Sequence, residues 1–334
     1  MKTLTMILMS LSLILVMFFP SPSISSAVRC NPQDKKVLLA IKTALGNPYH
    51  LASWDPKTDC CGWYCLQCHS KTNRVIALNI FSGELSGQIP PAVGDLSYLE
   101  TLFFHKLPNF VGTIPKTITK LTRLKSLEVS WTNISGPIPD FIGQIKSLNY
   151  LDLSFNKLTG SIPPSLSELP NLTELHLDRN RLTGSIPDSF GKFKGKVPPS
   201  LYLSHNQLTG YVPKSLGLMK FPNLDFSRNK LHGDISFLFG PGKELWKADF
   251  SRNLFQFDLS KVVFPKSLNV LDLNHNNIYG NLPQGLTSLN QLQFLNVSYN
   301  SLCGKIPVGG ELQRFDRTVY FYNKCLCGAP LPAC

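Results

Sequence analysis

Beyond its first 19 residues, the 334-residue sequence has no apolar run long enough to cross a bilayer, which takes about 20 residues. It also lacks the signatures of common active sites: no GxSxG, no HExxH and no phosphate-binding loop. Acidic residues are scarce, with 21 Asp and Glu against 33 Lys and Arg. These absences argue against a membrane span and against an enzyme, and they predict no cofactor.

The long apolar run at the amino terminus is typical of a secretory signal peptide. Lys2 precedes apolar residues 4–19 and then PSPSISSA, the order of charge, apolar core and small residues that such peptides share. Ser25 and Ala27 suit the cleavage positions, so we expect a mature, secreted protein without residues 1–27. Removing Lys2 lowers the formal net charge from +12 to +11. This charge favours acidic matrices or glycans as partners, and secretion argues against nucleic acid.

Cysteine is absent from the central part of the chain and clusters at both ends. Five cysteines lie between Cys30 and Cys68 and four between Cys303 and Cys334. In a secreted protein such clusters predict disulfides rather than a metal site. We expect the pairs Cys30–Cys60, Cys61–Cys68, Cys303–Cys325 and Cys327–Cys334, with Cys65 unpaired. Spacing alone leaves other connectivities open.

The central region repeats one phrase with a nearly constant period. SLNYLDLSFNKLTGSIP, from Ser147, returns as NLTELHLDRNRLTGSIP from Asn171 and as SLNVLDLNHNNIYGNLP from Ser267. Successive LxL anchors are 23 to 26 residues apart, within the range of about 20–29 residues of leucine-rich repeats. The anchors are Leu78, Leu102, Leu127, Leu151, Leu175, Leu201, Leu224, Ala248, Leu271 and Leu295. One such unit cannot bury its apolar face alone, so the units are expected to stack.

Each recurring residue of the repeat has a structural role. Leu151 and Leu153 flank Asp152, and this alternation predicts a strand with one buried face and one solvent-exposed face, called the wet face. An Asn three residues after the second anchor recurs and predicts a buried ladder of amides that bind open backbone groups. The ladder residues are Asn156, Asn180, Asn206, Asn229, Asn253, Asn276 and Asn300. The Gly and Pro that follow in most repeats predict a turn and a break in regular structure.

These features predict an α/β solenoid, a right-handed curved leucine-rich-repeat superhelix of about ten repeats. One parallel sheet would line the concave side, and short helical or irregular segments would cover the convex side. Because solenoid ends expose apolar core, the cysteine-rich segments are expected to be caps. The predicted parts are a signal peptide at 1–27, a cap at 28–72, repeats at 73–308 and a second cap at 309–334.

Several quoted motifs carry a family resemblance over Cys30 to Cys334. CNPQDKKVLLAIK, LASWDPKTDCCGWYC, GDLSYLETL, NVSYNSLCGKIPVGGELQRFD and CLCGAPLP resemble plant polygalacturonase-inhibiting proteins. The resemblance implies a secreted protein of the cell wall that binds and inhibits fungal or insect polygalacturonases. Departures are GDIS at Gly233, which lacks the usual proline, and Ala248 and Phe250 in place of leucines.

Two columns of the wet face and one tryptophan carry the candidate partner-binding residues. The middle column, between the anchors, contributes Glu128, Asp152, His176, Tyr202, Asp225, Asp249 and Asp272. The column two residues past the second anchor contributes Trp131, Phe155, Arg179, His205, Arg228, Arg252 and His275. Trp246, two residues before an anchor, is expected on the same face. Because Trp, Tyr and Arg tend to carry binding energy, we predict a protein-docking surface.

The second column also predicts a site for pectin. Its cationic members, Arg179, His205, Arg228, Arg252 and His275, would recur at the strand spacing of about 4.8 Å. Arg binds both oxygens of a carboxylate, the group that each unmethylated galacturonate carries. The two histidines, with an ordinary pKa of about 6.5, are expected to gain charge in an acidic wall.

Several alternatives compete with the docking hypothesis. Asp225, Asp249 and Asp272 could pair with Arg228 and Arg252 only to keep the face soluble, since exposed pairs contribute about 0–1 kcal/mol. Neighbouring Asp residues could also approach the ~5–5.5 Å separation of a retaining glycosidase pair, but no closed cleft is implied. A ligand-binding ectodomain or co-receptor is another class, although nothing apolar follows Cys334. An ice-binding protein would need a flat row of Thr or Asn instead of charged columns.

Three sequons predict glycosylation sites. We expect glycans at Asn133 and Asn171, which lie outside the ladder and outside the wet columns. The third sequon, at Asn296, falls in the middle column, where a glycan would crowd the concave face.

Overall fold

The computed structural model describes residues 30–334, and the expected signal peptide at 1–27 lies outside this range. The range begins with one α-helix, Pro32–Ala44, whose first N–H groups bind the side chain of Asn31. Among the described residues, no helix is long and apolar enough to span a membrane.

One sheet of eleven strands runs along the solenoid. Its first strand, Leu66–Cys68, pairs antiparallel with the second, and all later neighbours are parallel. The parallel strands are Val75–Phe81, Thr101–Leu107, Ser126–Thr132, Tyr150–Asp152, Glu174–His176, Ser200–Tyr202, Asn223–Asp225, Lys247–Asp249, Val270–Asp272 and Phe294–Asn296. The register is direct: Leu201 pairs with Leu175 on one side and with Leu224 on the other. Residues with the same place in the repeat therefore form columns.

Short 3-10 helices connect the strands on the convex side. They are Pro91–Asp95, Lys116–Lys120, Asp140–Gln144, Pro164–Glu168, Asp188–Lys192, Lys214–Leu218, Ser236–Leu238, Leu259–Lys261 and Gln284–Ser288. Three more lie in the caps, at Tyr49–Leu51, Cys60–Gly62 and Arg317–Tyr320. The helices approach each other closely, because a Cβ atom at Gly143 would collide with the carbonyl of Ser165.

A second set of short parallel strands follows the ladder residues, and the sequence did not lead us to expect it. These strands are Ser135–Pro137 with Lys157–Thr159; Thr209–Tyr211, Lys230–Gly233 and Leu254–Phe255; and Tyr279–Gly280, Ser301–Lys305 and Cys325–Cys327. They form where the chain turns away from the concave sheet, and they bind the backbone of neighbouring repeats along a second edge.

The apolar core continues from cap to cap. The anchors are buried, and the unusual pair Ala248 and Phe250 is fully buried as well. Phe250 packs against Phe226 and Phe255 at ring distances of 5.6 and 6.1 Å, so aromatic rings fill the space beside the small alanine.

Disulfides and a buried ion pair hold the caps. The structure contains the disulfides Cys30–Cys60, Cys61–Cys68, Cys303–Cys325 and Cys327–Cys334, and Cys65 is free. In the first cap, Asp34 is buried and accepts two 2.8 Å hydrogen bonds from Arg74. This pair joins the α-helix to the start of the sheet.

The asparagine ladder is present as expected. The Asn206 amide donates to the carbonyls of Leu177, Leu203 and Ser204 at 2.9 to 3.2 Å, and its oxygen accepts the Leu182 N–H at 3.0 Å. Each amide thus binds backbone of its own repeat and of the preceding one. Asn323, which the sequence reading missed, extends the ladder into the second cap.

We predict that Asn206→Ala lowers the free energy of unfolding by about 2–4 kcal/mol, because buried backbone groups lose their partner. Gln207 is the exposed neighbour, and Gln207→Ala should change that free energy by less than about 0.5 kcal/mol. Urea denaturation of both variants measures the difference. Equal losses would show that the ladder does not carry the stability assigned to it.

Candidate functional site on the concave face

The column that precedes the ladder has an unusual backbone conformation. Each of its residues has φ between 52° and 58°, in the left-handed region, although none is Gly or Asn. The column consists of Ser82, Lys106, Trp131, Phe155, Arg179, His205, Arg228, Arg252, His275, Tyr299 and Tyr322. Side chains with a Cβ adopt this region at a cost of roughly 1–2 kcal/mol each. We call the part from Trp131 to Tyr322 the stripe.

Aromatic rings stack at both ends of the stripe. Trp131 and Phe155 are stacked at 3.7 Å between ring centroids, and the Arg179 guanidinium lies 4.9 Å from the Phe155 ring. At the other end, Tyr299 stacks on His275 at 4.0 Å and on Tyr322 at 4.2 Å. The stripe therefore has cations in its middle and stacked aromatic rings at its ends.

The aspartates of the middle column do not neutralise these cations. Asp249 accepts the N–H and the hydroxyl of Ser251 at 3.1 and 2.7 Å, and Asp225 accepts the same two groups of Ser227. Asp272 accepts the N–H and the side-chain amide of Asn274. The hypothesis that these aspartates pair with Arg228 and Arg252 is wrong. The aspartate oxygens instead accept hydrogen bonds from the residue two positions later, just after each strand ends. Within residues 30–334, neither arginine forms a salt bridge, whereas Lys247 binds Asp225 at 3.0 Å.

The central and C-terminal parts of the stripe line an open groove of about 830 Å³. The groove brings together eight predicted residues: Arg179, His205, Asp225, Arg228, Asp249, Arg252, Asp272 and His275. It also includes Tyr299, Phe321 and Tyr322, the last two from the C-terminal cap. A second depression, lined by Trp131, Phe155 and Arg179, lies next to it.

The remaining predicted residues lie on the N-terminal half of the concave face or at its edge. Glu128 accepts from Ser130 and lies 2.6 Å from a His105 ring nitrogen. Asp152 accepts the Ser154 N–H at 2.8 Å. His176 stacks on Tyr202 at 4.3 Å.

Trp246 lies one residue before the strand Lys247–Asp249, is 48% exposed and does not line the groove. Its place on the partner-binding surface stays a prediction. The alternation places Lys247, one residue before the anchor, on the concave face, and its ammonium lies 5.6 Å from the Tyr202 ring. The same two-residue period could have identified Lys247 and Tyr150 from the sequence.

Burial shifts several pKa values in the groove region. It raises the pKa of Asp178 and of Asp272 to about 6, and neighbouring carboxylates contribute to both shifts. The pKa values of His205 and His275 are lowered, by burial first and then by the nearby arginines. Both histidines are therefore expected to gain less charge in a mildly acidic wall than an ordinary imidazole would. Asp178 and Asp272 also titrate there.

The three sequons differ in their surroundings. Asn171 is exposed and donates to the Lys146 carbonyl at 3.0 Å. Asn133 is partly buried and donates to the Pro108 carbonyl. Asn296 lines the groove and accepts the N–H and hydroxyl of Ser298. Glycosylation of Asn133 and Asn171 stays a prediction.

Comparisons with known proteins agree with this architecture. The leucine rich repeat N-terminal domain model matches residues 31–69, and leucine rich repeat models match residues 122–182, 200–219, 267–289 and 291–310. A solved structure described as a plant ice-binding protein has a TM-score of 0.89 and 59% identity, covering 92% of this chain and 98% of its own.

Two curated relatives carry the family assignment. The chain is 65% identical to a polygalacturonase inhibitor of Vitis vinifera over the full length of both proteins. It is 69% identical to polygalacturonase inhibitor 1 of Arabidopsis thaliana over 91% of this chain and 92% of that protein. The chain therefore belongs to the polygalacturonase inhibitor family of plant leucine-rich-repeat proteins.

Proposed function

We propose that this protein is a defence protein of the plant cell wall that binds and inhibits fungal or insect polygalacturonases through its concave face, without catalysis of its own. The two curated relatives, which match at least 91% of this chain, are named polygalacturonase inhibitors. The observation that carries the proposal is the stripe, where exposed stacked rings and arginines without a salt bridge in residues 30–334 occupy the same position in successive repeats.

The stripe suits protein docking for physical reasons. Trp and Arg are the residue types that most often dominate binding energy at interfaces. The ladder and the parallel sheet hold the stripe in place before a partner arrives, which reduces the ordering cost of association. The Glu128, Asp152 and His176 region extends the candidate interface toward the N-terminal half.

The decisive experiment is a titration of the purified protein against polygalacturonases from several fungi and insects, with galacturonate release as the readout. Inhibition of at least one enzyme is expected. Failure against the whole panel would contradict the proposed function and would favour the ectodomain or co-receptor alternative.

Ice binding is the second function to test, because one solved relative is described by that property. The concave columns of this chain carry charges and aromatic rings rather than a flat row of Thr. Thermal hysteresis of a concentrated solution reports this activity directly.

Pectin binding is the second part of the proposal. Arg179, Arg228 and Arg252 face the groove, and their strands repeat at about 4.8 Å. Changing these three to Gln should weaken retention on de-esterified pectin. The matched control changes Lys192, Lys196 and Lys214 to Gln, three exposed lysines outside the groove with the same total charge. Equal losses would mean that only the net charge of the protein binds pectin.

We predict that Trp131→Ala weakens inhibition of a sensitive polygalacturonase by at least about tenfold, because truncating a docked aromatic anchor costs about 2 kcal/mol. Trp246 provides the comparison, since its exposure of 48% matches the 47% of Trp131 but it lines neither the groove nor the second depression. Surface plasmon resonance with Trp131→Ala, Tyr202→Ala, Trp246→Ala and Lys192→Ala measures the losses. Equal affinities in all four would place the interface elsewhere.

We predict that pectin affinity rises as the pH falls from about 7.5 to about 5. Asp178 and Asp272, with pKa values of about 6, lose their charge in this range, while uronate groups with an ordinary carboxyl pKa of about 4 stay ionised. The lowered pKa values of His205 and His275 reduce the positive charge that these rings add in this range.

The substitution Asp272→Asn tests whether the pH dependence of pectin affinity comes from Asp272 or from the net charge of the protein. Asn is structurally matched, because Asn296 makes the same bonds in the next repeat. The variant should bind pectin about twofold to fivefold more tightly than the unaltered protein at pH ~7.5, where a nearby negative charge is removed, and equally at pH ~5. If pectin affinity changed with pH in the same way for both proteins, the pH dependence would not come from Asp272.

A further inference from the structure

The second depression, which lies next to the groove, carries charge of one sign. It encloses about 440 Å³, and its lining includes Lys157, Arg179 and Arg181 together with the rings of Trp131 and Phe155. Among the described residues, none that lines it is acidic. The three cationic side chains also form no salt bridge within residues 30–334. The depression is therefore a basic cavity with partly apolar walls.

The asparagine ladder places two of these cations side by side. Lys157 follows Asn156 and Arg181 follows Asn180, so both occupy the same position in successive repeats. The Arg181 N–H donates to the Leu158 carbonyl at 2.8 Å, which holds the two chain segments together. Like charges on neighbouring segments repel each other, and no acidic residue of the depression offsets this repulsion. A bound anion would offset it.

Arg179 connects the depression with the groove, because it lines both cavities. Its guanidinium lies 4.9 Å from the centroid of the Phe155 ring, and Trp131 stacks on the same ring at 3.7 Å. A contact with a ring positions the guanidinium without using a hydrogen-bond acceptor. The N–H donors of Arg179 therefore remain available for a carboxylate.

We propose that the second depression binds carboxylates of an anionic polysaccharide, and that a chain held by the arginines of the groove continues past Arg179 to Arg181 and Lys157. This inference rests on the pectin part of the proposed function. A cleft that is lined by one sign of charge and has apolar walls focuses its field on the opposite charge. Arg binds both oxygens of a carboxylate, and Lys binds it as a point charge. The polysaccharide thus leaves the concave face over the edge that carries the ladder.

The succession of cations favours a polyuronide over an acidic segment of a protein. Arg252, Arg228 and Arg179 line the groove, and Arg181 and Lys157 continue the positive charge into the depression. Neighbouring strands are separated by about 4.8 Å, so these cations recur at short intervals. A polyuronide carries a carboxylate on every unmethylated ring and can meet the cations in turn.

Calorimetric titration with an α-1,4-linked galacturonate dodecamer, long enough to occupy both cavities, tests the proposal. The double variant Lys157→Gln/Arg181→Gln should lower the affinity for the dodecamer about threefold to tenfold, because exposed ion pairs each contribute modestly. The matched control is Lys230→Gln/Lys324→Gln. It removes the same charge from two exposed residues that also follow a ladder asparagine but line neither cavity, so it should bind nearly as tightly as the unaltered protein.

Two checks accompany the titration. All four substituted residues are exposed, so the urea midpoint of unfolding should stay unchanged in both double variants. Asn133 also lines the depression, and a glycan there would restrict access, so the titrations are repeated after enzymatic removal of N-glycans. Removal should keep or enlarge the difference between the two double variants. A difference that appears only after removal would support the site and identify the glycan as its cover.

Equal dodecamer affinity of the two double variants, with and without N-glycans, would overturn the site while leaving pectin binding by the groove arginines intact. Weaker polygalacturonase inhibition by Lys157→Gln/Arg181→Gln with unchanged dodecamer affinity would also overturn it and would assign both cations to the enzyme interface. Absence of dodecamer binding by the unaltered protein would overturn pectin binding together with this site, without touching enzyme inhibition, which is measured separately.

Discussion

The asparagine ladder is the constraint on which the rest of this molecule depends. One buried amide in each of the central and C-terminal repeats binds carbonyl groups of its own repeat and of the preceding one. Since these bonds hold equivalent residues of adjacent repeats side by side, the strands pair in direct register. A repeated position in the sequence thereby becomes a column on the surface, and the stripe is such a column.

The ladder also supports a backbone that the functional side chains would not choose. Bulky residues such as Trp131 and Arg228 occupy left-handed positions that Gly or Asn would adopt more easily. The next residue is a buried hydrogen-bonded Asn, or Thr132 after Trp131, and this neighbour holds the turn in place. Strained positions of this kind concentrate at functional sites, where the surrounding structure over-determines them. The left-handed backbone of the stripe is consistent with bulky side chains being retained there for binding, despite the free-energy cost of that conformation.

Electrostatics in the groove follow from the same geometry. The middle-column aspartates end the strands by accepting backbone N–H and side-chain bonds, so they are half-buried and stacked beside one another. Burial and mutual repulsion raise the pKa of Asp249 and of Asp272. Because the protonated form is favoured in the folded state, these groups stabilise the fold at low pH, and the contribution of Asp272 is lost as the pH rises through about 6. The protonation of these aspartates thus affects both the stability of the fold at low pH and the charge of the groove.

Much of this protein could be predicted from the sequence, because period and alternation are local properties of the chain. The repeat length, the ladder from Asn156 to Asn300, the concave sheet and most of the stripe follow from the spacing of Leu, Asn and Gly. Other features depended on contacts between repeats. Only the tertiary structure showed that Arg228 and Arg252 have no salt bridge within residues 30–334, that His205 has a lowered pKa, and that Trp246 does not line the groove. It also placed Tyr322 of the cap at the end of the stripe. The physical reason is that a column is set by the register of one strand, whereas pairing, burial and stacking are set by side chains from neighbouring strands.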